Sequence, residues 1–196
     1  MFSAKMIELA LANYPGFFIG GAVRSGGPVL VYWPALIDSK HISETVHFDG
    51  KETTILPTNQ LGLEETYYQK QPIDIQPAPS DPCIKMPLGK LFGARSGDKG
   101  GCANIGVWAK TENAYSFLNE CLTVTQIKEL MPDLAEFHID RYELPNILSL
   151  NFYIHGILED GVSSNTRKDG QAKSLGEYLR AKYIEIPKSL IKEKEA

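Results

Sequence analysis

The stretch Ala94-Arg-Ser-Gly-Asp-Lys-Gly-Gly-Cys-Ala-Asn-Ile-Gly-Val107 combines glycine and charge between two apolar runs. It holds four glycines and five polar or charged side chains, which are Arg95, Ser96, Asp98, Lys99 and Asn104. Ordering glycine costs conformational entropy, because each one has much backbone freedom to lose. We therefore interpret the segment as a loop whose exposed backbone has a use, as a tight turn, an anion-binding nest or a catalytic pocket.

The residues around this segment predict an α+β fold. Strands are predicted at residues 88–92 and 103–109, and then at 136–143 and 148–155 around the turn Pro145-Asn146. Helices are predicted over residues 112–121, after the capping box that opens at Thr123, and from a second capping box at Ser174 to about Tyr183. The order ββααββα predicts a mostly antiparallel sheet with helices on one face.

The first part of the chain has a different character. An amphipathic helix is predicted over residues 3–13 with Ser3 as its N-cap, a strand over 29–33, and a hairpin around Asp49-Gly50. Six of the twelve prolines fall within residues 57–87, which predicts an extended linker. The expected division is therefore 1–56 helix plus hairpin, 57–87 linker, 88–186 α+β domain and 187–196 charged, frayed tail.

Composition excludes several classes of function. The 196 residues carry a formal charge of -4, so a nucleic-acid partner is not expected. The N-terminus lacks a signal-peptide pattern, and no stretch has membrane-spanning length. Three widely spaced cysteines and four histidines without a ligand motif predict a cytoplasmic protein without disulfide, metal or cofactor. Because the lysine precedes the glycine pair, the Gly-Asp-Lys-Gly-Gly run is not a Walker phosphate loop.

The strand at residues 148–155 alternates between apolar and polar side chains. Its polar members are expected on one face of the sheet, and they are Ser149, Asn151, Tyr153 and His155. On the preceding strand Arg141 and Glu143 share a face, so a hairpin would create a polar surface holding Arg141 or Tyr142 beside Asn151 and His155. The glycine-rich segment could close over one end of that surface.

These residues have a functional and a structural interpretation. In the functional one, proton transfer falls to Asp98, Glu143 or His155, and an anionic substrate is bound by Arg95, Ser96, Lys99, Asn104 and Asn151. In the structural one, the sheet face is merely solvated, and Arg95 and Asp98 pair or cap backbone groups at a turn. Cys102 is interpreted as a small buried thiol in preference to a nucleophile.

Several of these motifs together resemble the C-terminal domain of the AtuA family, the acyclic terpene utilisation proteins. The similar stretches, in order, are Leu88-Gly-Lys-Leu, Ala94 to Gly100, Ala103-Asn-Ile-Gly-Val, Arg141-Tyr-Glu-Leu-Pro-Asn146, Leu150-Asn-Phe with His155-Gly156, and Lys173-Ser-Leu-Gly176. Upstream, Tyr14-Pro-Gly and Val31-Tyr-Trp-Pro-Ala35 resemble the end of the family's larger N-terminal domain. Gly101-Cys102 departs from the family pattern.

The resemblance implies a ferredoxin-like fold for residues 88–186 and a role in the breakdown of acyclic terpenes or related branched acids, as acyl-CoA thioesters. Since most of the large domain is missing, the expectation is a fragment, one half of a split protein or a stand-alone remnant. The other hypothesis is a non-catalytic interaction module. It would form a homo-oligomer or hold a larger AtuA-type subunit, with residues 1–87 wrapped around the partner.

Overall fold

The computed structural model describes residues 2–10, 12, 15, 26–31, 33–55 and 75–195, and the chain divides into units at residues 1–30 and 31–196. In the first unit, residues 2–10 form helix α1, Phe2–Ala10. Ser3 lies inside this helix, so the prediction that it is the N-cap is wrong. Residue 13, where the helix was expected to end, is outside the described residues.

The predicted hairpin around Asp49-Gly50 is confirmed. Strands β1, Glu44–Phe48, and β2, Lys51–Ile55, pair antiparallel with Phe48 opposite Lys51. Asp49 has φ 48° and Gly50 has φ 69°, the left-handed conformation that a two-residue turn requires at both positions. By contrast, residues 29–31 and 33 have no regular structure, so the strand predicted there is wrong.

The second unit is built on a four-stranded sheet in the order β4-β5-β7-β6, with every neighbouring pair antiparallel. Its strands are β4, Gly93–Lys99; β5, Cys102–Trp108; β6, Ile139–Leu144; and β7, Ser149–Ile154. A second, two-stranded sheet pairs β3, Cys83–Pro87, with β8, Tyr183–Pro187. The predicted mostly antiparallel α+β fold is confirmed.

The glycine-rich segment forms a hairpin, so its interpretation as a loop is wrong. Strand β4 includes the stretch from Arg95 to Lys99, and only Gly100 and Gly101 turn the chain into β5. Gly100 has φ 66°, and a Cβ on Gly101 would lie 2.1 Å from the carbonyl oxygen of Glu159. Both positions therefore require glycine. The strand predicted at residues 88–92 is instead a 3₁₀ turn, Leu88–Lys90.

One face of the main sheet is covered by helices and forms the core. The helices are α2, Glu112–Cys121; α3, Val124–Leu130; and α4, Leu175–Arg180. From the sheet, Ala103, Ile105, Val107, Leu150, Phe152 and Ile154 are completely buried in the cluster that also contains helix residues such as Leu118 and Ile127. The alternation predicted for the strand at 148–155 is thus confirmed at its three central apolar positions.

The helix starts differ in how they are capped. Thr123 accepts a hydrogen bond from the amide of Gln126 at 3.1 Å, which confirms it as the N-cap of α3. The reciprocal bond of the predicted capping box is not formed, since the Thr123 amide donates to the Cys121 carbonyl and the Gln126 side chain donates to Glu129. Ser174 makes no such bond, and its hydroxyl donates instead to Asp169, so the second predicted box is wrong. Helix α4 also ends at Arg180, before strand β8 begins. Among the helices described, none combines the length and apolarity needed to cross a bilayer.

The end of the predicted linker and the predicted tail are both part of the fold. Strand β3 pairs Ile84 with the buried Ile186 of β8, so residues 83–87 are not linker. Helix α5, Lys188–Glu195, replaces the expected frayed tail because Leu190 is buried in the core. Asp81 joins the two segments by accepting hydrogen bonds from the Ser189 amide at 2.9 Å and hydroxyl at 2.5 Å. Residues 57–74 lie outside the described ranges.

The Asp81–Ser189 contact predicts an acid-dependent contribution to stability. The Ser189 hydroxyl and amide hold the pKa of Asp81 below its ordinary value of 3.8. The charged form therefore stabilises the fold above that value, and this contribution is lost as pH falls through the lowered pKa. We expect Asp81→Asn to lower the melting temperature at neutral pH, and the difference from the parent protein should shrink as the pH falls below that ordinary value. Circular dichroism melts measure this. A difference in melting temperature between variant and parent that stays constant with pH would contradict this prediction. Asp133→Asn, at an exposed position, is the control.

Candidate functional site

The face of the main sheet opposite the helices, called here the open face, carries every second residue of its four strands. From β4 and β5 it presents Gly93, Arg95, Gly97, Lys99, Cys102, Asn104, Gly106 and Trp108, and from β6 and β7 Asp140, Tyr142, Leu144, Ser149, Asn151 and Tyr153. His138 and His155 extend the last two strands by one pair, because the His155 amide donates to the His138 carbonyl at 3.0 Å. The open face is therefore a polar, partly exposed surface.

Two glycines leave a shallow depression in the open face. A Cβ on Gly97 would meet no atom within 4 Å, and one on Gly106 would only approach the Arg95 carbonyl oxygen, at 3.9 Å. Gly93 is different, since a Cβ there would lie 2.2 Å from the Trp108 ring. The depression, with Gly97 and Gly106 as its floor, is thus space that no side chain fills.

Polar side chains border the depression. Arg95 is directly opposite Gly106 across the β4–β5 pair, and Asn104 is opposite Gly97. The Asn104 side-chain amide donates to Asn151 Oδ1 at 2.8 Å, which links β5 to β7. Lys99 is exposed at the turn end of β4, where its Nζ donates to the Asp98 carbonyl at 3.0 Å. A cation and an amide pair therefore lie on either side of the vacant floor.

A second group, called here the histidine cluster, consists of His138, Asp140 and His155. His155 Nε2 lies 2.7 Å from Asp140 Oδ2, and His138 Nε2 lies 3.0 Å from Asp140 Oδ1. The Tyr153 ring meets His155 edge-on with a centroid distance of 4.9 Å. The hydrogen bond from His155, together with the nearby histidine charges, lowers the pKa of Asp140, so this carboxylate is held in its charged form.

The predicted site residues are divided between the two faces. Five of them share the open face, namely Arg95, Lys99, Asn104, Asn151 and His155. Ser96, Asp98 and Glu143 belong to the helix-covered face, since the registers place them opposite Ile105, Ala103 and Leu150. Ser96 accepts a hydrogen bond from the Gly176 amide in the first turn of α4, at 2.8 Å.

The strand pairing decides between Arg141 and Tyr142 as the neighbour of Asn151 on the polar surface. The β6–β7 register pairs Tyr142 with Asn151, so Tyr142 and not Arg141 is on the open face, and Glu143 points the other way. There Glu143 binds Arg141, with 2.7 Å between Oε1 and Nη1. The shared face of Arg141 and Glu143 was predicted correctly, but it is the face that packs on the helices.

Arg141 uses the remaining part of its guanidinium to cap helix α2. Its Nη2 donates to the Asn119 carbonyl at 2.7 Å, and its Nε donates to the Leu122 carbonyl at 3.1 Å. Carbonyls at a helix C-terminus have no partner within the helix and carry partial negative charge, which a cation stabilises. Glu143 fixes this cation in place, so the geometry gives the pair a structural role.

His138 and Asp140 were not among the site residues predicted from the sequence. The alternation of side chains along a strand could have indicated both residues, because strand residues two apart share a face. Once Tyr142 is opposite Asn151, the same pairing puts Asp140 opposite Tyr153 and His138 beside His155. The missing information was the register between the two strands.

Two cavities lie away from the open face. One of about 90 Å³ includes Ile75 and Tyr115 in its lining, and one of about 370 Å³ includes Cys121 and Tyr183. The predicted site residues line neither of these two. Burial raises the pKa of Cys121 to about 12, so this thiol is unreactive at neutral pH. Cys102 is only half-buried on the open face, and its sulfur accepts from the Gly156 amide at 3.4 Å.

Comparison with known protein families identifies the matched part of the chain. The model of the family described as the AtuA ferredoxin-like domain matches residues 86–185, just over half of the chain. The matched region contains the whole main sheet with helices α2, α3 and α4. No curated protein and no solved structure matches the chain significantly.

The Arg141–Glu143 contact predicts how the two side chains contribute to stability. Arg141→Ala removes the bonds to the end of α2, and we expect a loss of about 2–3 kcal/mol in the free energy of unfolding. Glu143→Gln keeps a hydrogen-bond acceptor beside Arg141 and should cost less than about 1 kcal/mol. Urea unfolding measures both, with Glu136→Gln as an exposed control. Equal losses for Arg141→Ala and Glu143→Gln would contradict the capping role.

Proposed function

Because the chain belongs to the AtuA ferredoxin-like domain family, we propose that it is a component of a protein that degrades acyclic terpenes or related branched acids. Its open face binds the substrate, an anionic acyl compound such as an acyl-CoA thioester. The depression supports this proposal more than any other feature, because it combines unfilled space with a cation and paired amides.

Charge and hydrogen-bonding capacity at the depression suit an anionic acyl group. Arg95 offers a planar set of donors that matches a carboxylate or phosphate, and Lys99 adds a second positive charge on the same strand. Asn104 and Asn151 offer amide groups that orient a carbonyl oxygen. The bare backbone at Gly97 and Gly106 lets a ligand approach the sheet closely.

His155 is the residue proposed for proton transfer. Its imidazole is held by Asp140 at 2.7 Å, and such a contact fixes the orientation of a histidine that exchanges protons. Asp98 and Glu143 have a different environment, since the registers direct both toward the helices. Within the open face, the proposal therefore assigns proton transfer to His155 alone among the three candidates.

Filling the depression provides a direct test. Gly106→Val adds a side chain where a Cβ has room, and valine suits a strand better than glycine, so the variant should fold at least as stably as the parent. We expect this variant and Arg95→Ala each to weaken the binding of isobutyryl-CoA by about tenfold or more, measured by isothermal titration calorimetry.

The matched control is Lys51→Ala, which removes a positive charge from the separate hairpin β1–β2. This variant should bind isobutyryl-CoA like the parent. Calorimetry with CoA alone separates recognition of the phosphates from recognition of the acyl group. Unchanged affinity in both Gly106→Val and Arg95→Ala would overturn the site assignment.

An interaction module is the second candidate, and a separate observation favours it. Trp33, Leu36 and Ile37 are largely exposed, and neighbouring apolar side chains of this kind are typical of interaction surfaces. The partner would be another copy of the chain or a larger AtuA-type subunit.

Light scattering coupled to size exclusion tests self-association. If these residues form an interface between copies, the parent chain has at least a dimer mass and Leu36→Asp shifts it to the monomer. Leu30→Asp changes another exposed leucine and serves as a comparison outside this group. A monomeric parent chain at high concentration would exclude self-association through this surface.

A further inference from the structure

We propose that the histidine cluster, His138, Asp140 and His155, binds a divalent transition-metal ion of the Zn²⁺ type. This inference goes beyond the proposed acyl binding and does not depend on it. It shares His155 with the proton transfer proposed above: in the ion-bound protein this side chain is a ligand, so proton transfer by His155 belongs to the ion-free protein. The cluster and the depression occupy different positions on the open face, so each can be disrupted separately.

The geometry of the three side chains supports coordination of one ion. Their candidate ligand atoms all lie within 4.8 Å of one another. Around a tetrahedral Zn²⁺ with bonds of about 2.1 Å, ligand atoms are separated by about 3.4 Å. Both imidazole Nε2 atoms already point at the same carboxylate, at 2.7 and 3.0 Å. Modest side-chain rotations would therefore bring all three atoms onto one ion.

The backbone holds the ligands in place before any ion binds. The hydrogen bond between the His155 amide and the His138 carbonyl makes these two residues cross-strand neighbours, with ring centroids 4.9 Å apart. His138 immediately precedes β6, and Asp140, two residues later, projects from the same face. Ligands on paired strands lose little freedom on binding, which favours affinity.

The types of donor determine which ion fits. Two imidazole nitrogens and one carboxylate oxygen suit Zn²⁺ and similar transition ions, whereas Mg²⁺ and Ca²⁺ prefer oxygen ligands. Three protein ligands leave a fourth tetrahedral position for water. The His138 side chain is 72% exposed, so an ion can enter from solvent.

Neighbouring tyrosines give the cluster an outer layer of contacts. The Tyr153 ring packs edge-on against His155, and the Tyr142 hydroxyl lies 3.5 Å from Asp140 Oδ2. A hydrogen bond to a ligating carboxylate orients that ligand and strengthens metal binding, which applies to the Tyr142 contact with Asp140. The histidine cluster is therefore held by neighbouring side chains as well as by the contacts among its own three members.

Calorimetric titration of the full chain with ZnCl₂, after treatment with a chelator, tests the proposal. We expect one Zn²⁺ per chain for the parent, and a loss of affinity of about tenfold or more in both His138→Ala and His155→Ala. Excess Mg²⁺ should not compete. The matched control is His47→Ala, because His47 also pairs with a carboxylate, at 3.1 Å from Glu52, but on the hairpin β1–β2.

A spectroscopic readout identifies the ligands independently of affinity. The imidazole nitrogen signals of His138 and His155 should shift on addition of Zn²⁺ to the parent chain, while that of His47 should not. Parent protein without Zn²⁺ binding, or a His138→Ala variant with unchanged affinity, would overturn the proposal. So would a shift confined to His47.

The same variants separate this inference from the proposed acyl site. His138→Ala should lose Zn²⁺ affinity and keep isobutyryl-CoA affinity, and Gly106→Val should do the reverse. Either proposal can therefore fail while the other holds, and the two affinities measured in these variants show which one has failed. Loss of both affinities in both variants would contradict the independence of the two sites.

Discussion

The pairing of β5 with β7 joins two hairpins into one sheet and decides which residues face the helices. Ile105 is opposite Phe152 and Val107 is opposite Leu150, and all four are completely buried. Full burial of such a side chain contributes about 1.5–3 kcal/mol, so this register is far more stable than one shifted by a residue. A one-residue shift would also move the whole polar set of β7 into the core.

Because the register is fixed, the side chains that stabilise the fold and those of the candidate site lie on opposite faces of the sheet. Arg141 shows the structural side, because it faces the helices and caps the end of α2 through carbonyls of Asn119 and Leu122. On the open face, by contrast, Asp140, the residue immediately before Arg141, pairs with His155, and the core does not need this contact. A polar group on the open face can exchange its partner for a ligand while the apolar packing stays intact.

The elements that could be predicted from sequence are those with a strong local signal. Strand β7 alternates apolar and polar residues, and the β1–β2 turn has the Asp49-Gly50 pair that favours a two-residue turn. Strand β4 was missed because its inward residues include Ser96 and Asp98, which hide the period of two. Helix α5 was missed because its burial depends on contacts with the core, far away in sequence.

The candidate site was only partly predictable for a similar reason. The grouping of Asn151 with His155 follows from alternation within one strand, and the structure shows both on the open face. The placement of Glu143 and the participation of His138 depend on register between strands, which turn geometry fixes. Leu148 adopts φ 50° at the β6–β7 turn, a left-handed conformation that its sequence does not favour.

The glycine and charge of the opening segment are explained by the two different surfaces that β4 must meet. On its inner side, helix α4 approaches so closely that a Cβ on Gly176 would lie 3.1 Å from the Arg95 backbone, and Ser96 caps that helix. Small or hydrogen-bonding residues fit there, and large apolar ones do not. On its outer side, Gly97 lies beside Arg95 without being needed for packing. The inner constraint accounts for Ser96, whereas Gly97 has no packing reason. The ligand proposed for the depression would account for it, since that ligand would use the space a side chain would fill.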